Sequence, residues 1–186
     1  MPLITEQRIR QLGKIELAQK GFFTKKSEIL SEQAKFNMFD IFLSHAYMDR
    51  ELILGLRTFF ISLGYKVYID WIDDEELDRS DVTKETANKL KGRMGQSKCL
   101  LYAITENYVN SKWMPWELGY FDGREGKVAV LPLVKSGTEY EYKGTEYVGL
   151  YPYVKDIGST SASLYVYDDK GNYVSLHSWM DGATLG

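Results

Sequence analysis

The chain has 186 residues, 44% hydrophobic and 14% aromatic, enough for one domain with a substantial core and an appendage. A formal charge of -3, with seven acids against one Arg in the stretch 70–81, excludes a basic nucleic-acid-binding surface. The single Cys99 excludes an internal disulfide, and His45 and His177 alone make no Cys/His cluster at zinc spacing.

From residue 5 to 20, apolar Ile9, Leu12, Ile15 and Leu17 alternate with Arg8, Arg10, Lys14 and Glu16, which predicts an amphipathic helix that Gly21 stops. A second helix is predicted over 27–35. Residues 1–37 therefore read as a helical extension, serving as a cap or as an oligomer contact. The start has no secretory apolar stretch, and no apolar run nears the roughly 20 residues of a membrane helix. A soluble protein of a reducing cytoplasm is expected.

Residues 39–44 form a short apolar strand. Asp49 is placed to cap a helix running to Leu63, and Gly64 ends it before an alternating strand over 65–70. A loop over 71–81, with most of its acids solvated, leads into a helix over 82–94 and a buried strand over 99–105. A Trp-rich helix carrying Glu117 and an apolar strand over 128–134 complete the series. Strand and helix alternate, which implies a parallel sheet with helices on both faces. After Val134 the chain becomes rich in Tyr and Gly. It predicts a turn over 140–144, a strand over 150–154 and a hairpin over 163–176 that turns at Asp169-Lys-Gly171. The main domain spans 38–158, and 159–186 adds a hairpin to the edge of the same sheet.

In open parallel sheets, ligands bind beyond the carboxyl ends of the strands, where loops and helix starts converge. The segments there are Ser44-His-Ala-Tyr-Met-Asp49, Asp70-Trp71, Thr105-Glu-Asn-Tyr108, and the run Ser111 to Gly123 that holds Glu117 among Trp113, Trp116, Tyr120 and Phe121. Glu117 is either a surface acid favoured by the dipole of a helix start or the acid of a pocket. Pro115 at the start of that helix would leave Trp113 before it and Trp116 largely in the core. His45 shapes a pocket better than it moves protons. Ser44 has no triad, so a serine hydrolase is excluded.

Phe39-Asp-Ile-Phe-Leu-Ser-His-Ala46 resembles the first box of Toll/interleukin-1 receptor (TIR) domains, and the loop 71–81 sits where that family carries its BB loop. Trp113-x-x-x-Glu117 resembles the tryptophan-glutamate pattern of bacterial members, and the likeness covers roughly 38 to 135. It implies a flavodoxin-like, doubly wound parallel sheet and, for many members, cleavage of the nicotinamide-ribose bond of NAD by a glutamate at the position of Glu117. Ser44, His45, Ala46, Tyr47, Asp70, Trp71, Trp113 and Trp116 would then line the substrate site. The resemblance implies NAD as the substrate, and no cofactor is expected.

One carboxylate is enough for this chemistry. Nicotinamide leaves as a neutral pyridine that needs no protonation, and an anion beside the ribose steadies its oxocarbenium-like state. Water reaching that ribose gives ADP-ribose, whereas the adenine folding back in a dry pocket gives a cyclic product. Small bacterial TIR proteins of this kind are similar to the TIR subunits of Thoeris anti-phage systems, whose nucleotide signal acts on a separate effector protein. Self-association through TIR surfaces is expected. The alternative is a TIR module that binds other TIR surfaces without chemistry. A response-regulator-like domain fits less well, since Ser44 and His45 stand where its acids belong.

Overall fold

The computed structural model describes residues 3–20, 38–74, 82–135, 141–144, 146–158 and 163–186, leaving aside the side chains of 16–20. The helix predicted at 27–35 and most of the acidic loop, 75–81, lie outside the described residues.

The strands are β1 (Ile4–Thr5), β2 (Phe39–Ser44), β3 (Val67–Tyr68), β4 (Ser97–Ile104), β5 (Val128–Val134), β6 (Tyr153–Asp156), β7 (Leu164–Tyr167) and β8 (Tyr173–Ser175). The helices are α1 (Glu6–Lys20), α2 (Arg50–Ser62), α3 (Asp70–Asp73), α4 (Lys84–Met94), α5 (Met114–Glu125) and α6 (Leu176–Met180). The sheet order is β3-β2-β4-β5-β6-β7-β8. It is parallel from β3 to β6 and antiparallel through β7 and β8. This is the flavodoxin-like, doubly wound order, and the chain reverses its direction of winding between β2 and β4.

The period of two along each strand sorts side chains onto two cores. Ile41, Leu43, Cys99, Leu101, Ala129 and Leu131 face α1 and α2, packing with Ile9, Leu52, Leu56 and Phe60. Phe42, Leu100, Tyr102, Val128 and Val130 face the other way, against Leu90 and Met94 of α4 and Leu118 and Phe121 of α5. Ser44 has the phase of Phe42, so the end of β2 turns toward α5.

Several elements differ from their predictions for local reasons. Before α1, Ile4 and Thr5 pair with Leu133 and Val134 as a short strand, which the helical pattern from residue 5 hides. The strand expected at 65–70 is only Val67–Tyr68, because the backbone turns into α3 at Asp70. Leu150 belongs to a 3-10 turn over Glu146–Leu150 and the strand begins at Tyr153. Asp49 stands at the N-cap of α2 but makes no capping bond; its carboxylate accepts from Thr105 Oγ1 at 2.5 Å and Asn107 Nδ2 at 2.7 Å. Thr83 caps α4 instead of the helix starting at Val82. The hairpin turn is fixed by Asp168, which accepts from the backbone N–H groups of Lys170 and Asn172. Among the described residues no helix is long and apolar enough to cross a membrane.

The acids that follow β3 are not all solvated. Asp73 accepts from the Ile69 N–H at 2.7 Å and pairs with Arg57 at 3.0 Å. Asp74 accepts from Arg93 through Nε and Nη2, both at 2.8 Å, and from the Tyr68 hydroxyl at 2.8 Å, with Lys89 at 3.1 Å. These two clamps hold the root of the acidic loop. Burial would push Asp74 up, but hydrogen bonds from Arg93, Tyr68 and Lys89 hold it below the usual carboxylate range. Burial pushes Asp73 up to about 6, against the pull of Arg57.

Helix α1 crosses α2 where both carry glycine. A Cβ on Gly55 would lie 2.3 Å from the Ile9 carbonyl oxygen, and one on Gly13 would lie 3.2 Å from the Gly55 Cα. Arg8 of α1 also pairs with Asp156 at the end of β6, at 2.5 Å. The described part of the extension is thus packed into the domain.

Because the two helices meet backbone to backbone, Gly55→Ala must push α1 off α2 and should lower stability by about 1–3 kcal/mol in urea unfolding. Gly92→Ala, with nothing within 4 Å of the added carbon, should instead leave it unchanged or raised. Asp73 has a folded pKa of about 6 against an ordinary 3.8, so its contribution to stability is full below pH 3.8 and is lost as pH rises through 6. Asp73→Asn should therefore flatten the stability curve between pH 4 and 6.5 by an amount on the order of 1–3 kcal/mol, read from urea midpoints across that range.

Candidate active site

The winding reversal between β2 and β4 puts a crevice at their carboxyl ends, and Glu117 is there. It lies in the first turn of α5, where the helix dipole favours a negative charge. Its N–H bonds the Trp113 carbonyl at 2.8 Å. The side chain is 0% exposed, and the Ser44 hydroxyl, at the end of β2, donates to Glu117 Oε2 at 2.6 Å.

The neighbouring His45 is also buried, at 1% exposure. The Trp71 indole N–H donates to His45 Nε2 at 3.0 Å, so that nitrogen carries a lone pair. The ring proton therefore sits on Nδ1 and is donated to the Leu43 carbonyl at 2.8 Å. Asp70 Oδ1 lies 3.5 Å from Nε2. His45 thus engages Trp71 through one ring nitrogen and the strand end through the other. Asp70 is itself buried at the start of α3.

Trp71 is half-buried, with the Arg50 guanidinium 4.6 Å above its ring. The same guanidinium lies 4.8 Å above the Tyr47 ring and donates to its hydroxyl at 3.1 Å. Tyr47 is 63% exposed, so it forms the outer rim, while Ala46 packs inward with Tyr102 and Leu100.

Pro115 occupies the first turn of α5, so Trp113 precedes the helix as its N-cap residue. Trp113 is buried and meets Trp116 edge-on at 5.4 Å. Trp116 stacks on Tyr120 at 5.8 Å, and Lys91 of α4 covers both rings, so its contacts run along the flank of α5 toward α4. The structure thus gathers Ser44 with Glu117, and His45 with Trp71 and Asp70, while Tyr47 stands at the rim and Trp116 is engaged in packing.

Further contacts at this edge were not legible in the sequence. Tyr102 pairs in register with Ser44 and lies on the same face. Burial, with Tyr147, Glu117 and Tyr108 close by, pushes its phenol above the usual range. The Asp49 bonds to Thr105 and Asn107 tie the loop after β2 to the loop after β4. Tyr147 belongs to the 3-10 turn after β5. These contacts join residues far apart in the chain, which local sequence patterns do not carry. An open groove of about 560 Å³ against α1, lined by Glu6, Gln7, Arg10, Gln11, Lys14 and Lys135, shares no residue with this site.

A flavodoxin-like sheet with an acid at the switch point defines a class, and comparison with known proteins gives the family. Residues 41–156 match the family model described as the TIR domain, and the chain belongs to the TIR-domain family. It is 50% identical over 149 residues to the "Probable 3' cyclic ADP-D-ribose synthase ThsB'" of Bacillus cereus (strain MSX-D12), covering 78% of this chain and 77% of that protein. A protein of Cytobacillus dafuensis, provisionally named a cyclic ADP-D-ribose synthase, is 29% identical over 134 residues, covering 61% of this chain and 35% of its own length. The TIR domain of the Toll-related receptor TRR-2 of Hydra magnipapillata superposes with a TM-score of 0.40 at 15% identity, over 56% of this chain and 77% of its own, too distant for residue correspondences.

Removing the Ser44 hydroxyl takes a donor from a fully buried carboxylate. Ser44→Ala should cost about 1–3 kcal/mol of stability in urea unfolding, with Ser44→Thr restoring most of it.

Proposed function

We propose that this chain consumes NAD, cleaving the nicotinamide-ribose bond and converting the remainder into a cyclic ADP-ribose-type nucleotide, with Glu117 as the acid beside the ribose. The observation that carries this is Glu117 itself, a buried carboxylate held by Ser44 at the switch point of a TIR sheet. The 50% identical relative, named for cyclic ADP-D-ribose synthesis, supports it over three-quarters of both chains.

In the proposed reaction, the bond between C1 of the ribose and the pyridine nitrogen breaks, and nicotinamide takes the electron pair and leaves neutral. The positive charge then spreads over C1 and the ring oxygen. A carboxylate in a site shielded from water steadies that charge far better than it could in solvent. A hydroxyl of the adenosine half, or water, then attacks C1 and gives its proton to solvent. His45 as a neutral, doubly bonded imidazole is consistent with this, because the leaving group needs no acid.

Glu117 is fully covered in this conformation, so the ribose reaches it only after a covering group moves. Self-association through TIR surfaces would supply that movement, since such domains commonly assemble. The nucleotide would then act on a separate effector within the same cytoplasm, as part of an anti-phage defence of the Thoeris kind.

The test is incubation of the full chain with NAD and chromatography of the products. The wild type should release nicotinamide and a cyclic nucleotide. Glu117→Gln, which keeps the size of the side chain and its reach to Ser44, should lower the release rate by about 10²–10³-fold or more. Undiminished release by that variant would overturn the role of Glu117.

A further inference from the structure

Among the described residues, Arg8 meets Asp156, Arg10 meets Glu6, Arg57 meets Asp73, Arg93 meets Asp74 and Arg124 meets Glu125. Arg50 is the described arginine that forms no ion pair. The acids beside it in the chain are engaged elsewhere, since the Asp49 carboxylate accepts from Thr105 and Asn107, and Glu51 lies 3.6 Å from Arg10. Arg50 is also the first residue of α2, where the helix dipole disfavours a positive charge. Neither ion pairing nor helix stability accounts for a cation at this point.

Aromatic rings hold it instead. Its guanidinium carbon lies 4.8 Å over the Tyr47 ring and 4.6 Å over the Trp71 ring, and Nη1 donates to the Tyr47 hydroxyl at 3.1 Å. Ring contacts of this kind cover the face of a guanidinium and leave its edge, where all of its N–H donors lie, open to an acceptor. Arg50 and Tyr47 are both exposed, so that edge is reachable from solvent. A continuous series of contacts leads from this cation to the acid. Trp71, beneath Arg50, donates to His45 Nε2 at 3.0 Å, His45 adjoins Ser44 in the chain, and Ser44 donates to Glu117 at 2.6 Å. The rim cation and the buried acid are the outer and inner ends of one wall.

We propose that Arg50 is the diphosphate-binding residue of this site. This rests on the NAD-cleaving reading above and names the group that meets the charged middle of the dinucleotide. The diphosphate of NAD hangs from the reacting ribose through its 5′ oxygen, so a cation serving it must stand beside the ribose site and outside its dry floor. Arg50 stands on the exposed rim of the wall that carries Glu117 at its inner end. Its fork, held by the rings, presents N–H groups side by side to phosphate oxygens, which the point charge of a lysine cannot do. The diphosphate keeps its charge while the nicotinamide bond breaks. Arg50 therefore contributes equally before and during bond cleavage, and it sets the affinity for substrate, leaving the rate of the chemical step to Glu117.

The experiment titrates wild type, Arg50→Gln and Arg50→Lys with carba-NAD, which cannot release nicotinamide, at about 50 mM and about 300 mM salt, with circular dichroism to establish that each variant is folded. Arg50→Gln, which keeps a stem over the rings and loses the charge, should weaken binding by about tenfold or more and flatten its salt dependence. Arg50→Lys, which keeps the charge without the fork, should fall between that variant and wild type. With NAD itself, Arg50→Gln should raise KM by about the same factor and hold kcat within roughly threefold of wild type. Wild-type affinity in the folded glutamine variant, an unchanged salt dependence, or a fall in kcat with KM unmoved would overturn the assignment, as would a wild type that does not bind carba-NAD. A wild type that binds carba-NAD through Arg50 but cleaves no NAD would count against the reaction and leave the diphosphate contact standing.

Discussion

A carboxylate with no exposure to water must be met by donors, and the bond from Ser44 Oγ to Glu117 Oε2 is the contact around which this domain's candidate site is arranged. It constrains the fold at three levels. β2 must be central, so that its carboxyl end opens onto the crevice made by the winding reversal. The strand's phase must turn Ser44 toward α5, as it does because Phe42 and Ser44 share a face. The chain must also start α5 close enough that its first turn, positive through the helix dipole, brings Glu117 over the strand end. A slip of one residue in β2 would carry Ser44 to the opposite core and strand the acid.

The rest of the carboxyl edge is braced around that contact. Asp49 links the loops after β2 and β4 through two short bonds. Arg57 and Arg93 hold Asp73 and Asp74 at the point where the chain leaves α3. The turn at 146–150 is tied to α5 through Tyr151 and Asp122. On the far side of the sheet, α1 locks onto α2 through facing glycines and onto β6 through Arg8 and Asp156. Such bracing concentrates any conformational change in the exposed rim, where Tyr47 and Arg50 sit, since buried and cross-linked parts open only at high free energy.

Alternation of apolar strands with amphipathic helices was enough to read the doubly wound sheet, because burial on both faces leaves near-continuous runs such as those in β4 and β5. The end of β2 and the start of the Trp-rich helix could be placed at one edge for the same reason. The partners could not, since Ser44 and Glu117 are 73 positions apart and only the packed structure brings them into register. Local signals also misled where tertiary contacts outbid them. Asp49 has the sequence position of a helix cap, yet its carboxylate serves Thr105 and Asn107. Asp73 and Asp74 look solvated within an acidic run, and their cations lie on α2 and α4. The strand at Ile4 and Thr5 is too short to leave a period.

The protonation of His45 bears on the chemistry this edge can support. An indole N–H has no acceptor capacity, so its bond to Nε2 settles the tautomer, and the Leu43 carbonyl takes the remaining ring proton. Both nitrogens are committed to structure, and protonating the ring would break the Trp71 bond inside a buried site. A glycosidic bond to an alkoxide leaving group would need a proton donor near that point, and His45 is not available to be one. A bond to a positively charged pyridine needs none, because its cleavage discharges the leaving group and moves the positive charge to the sugar. Under the proposed reaction, one shielded acid with an immobilised histidine beside it suits a substrate whose leaving group is already activated better than it suits ordinary glycosides.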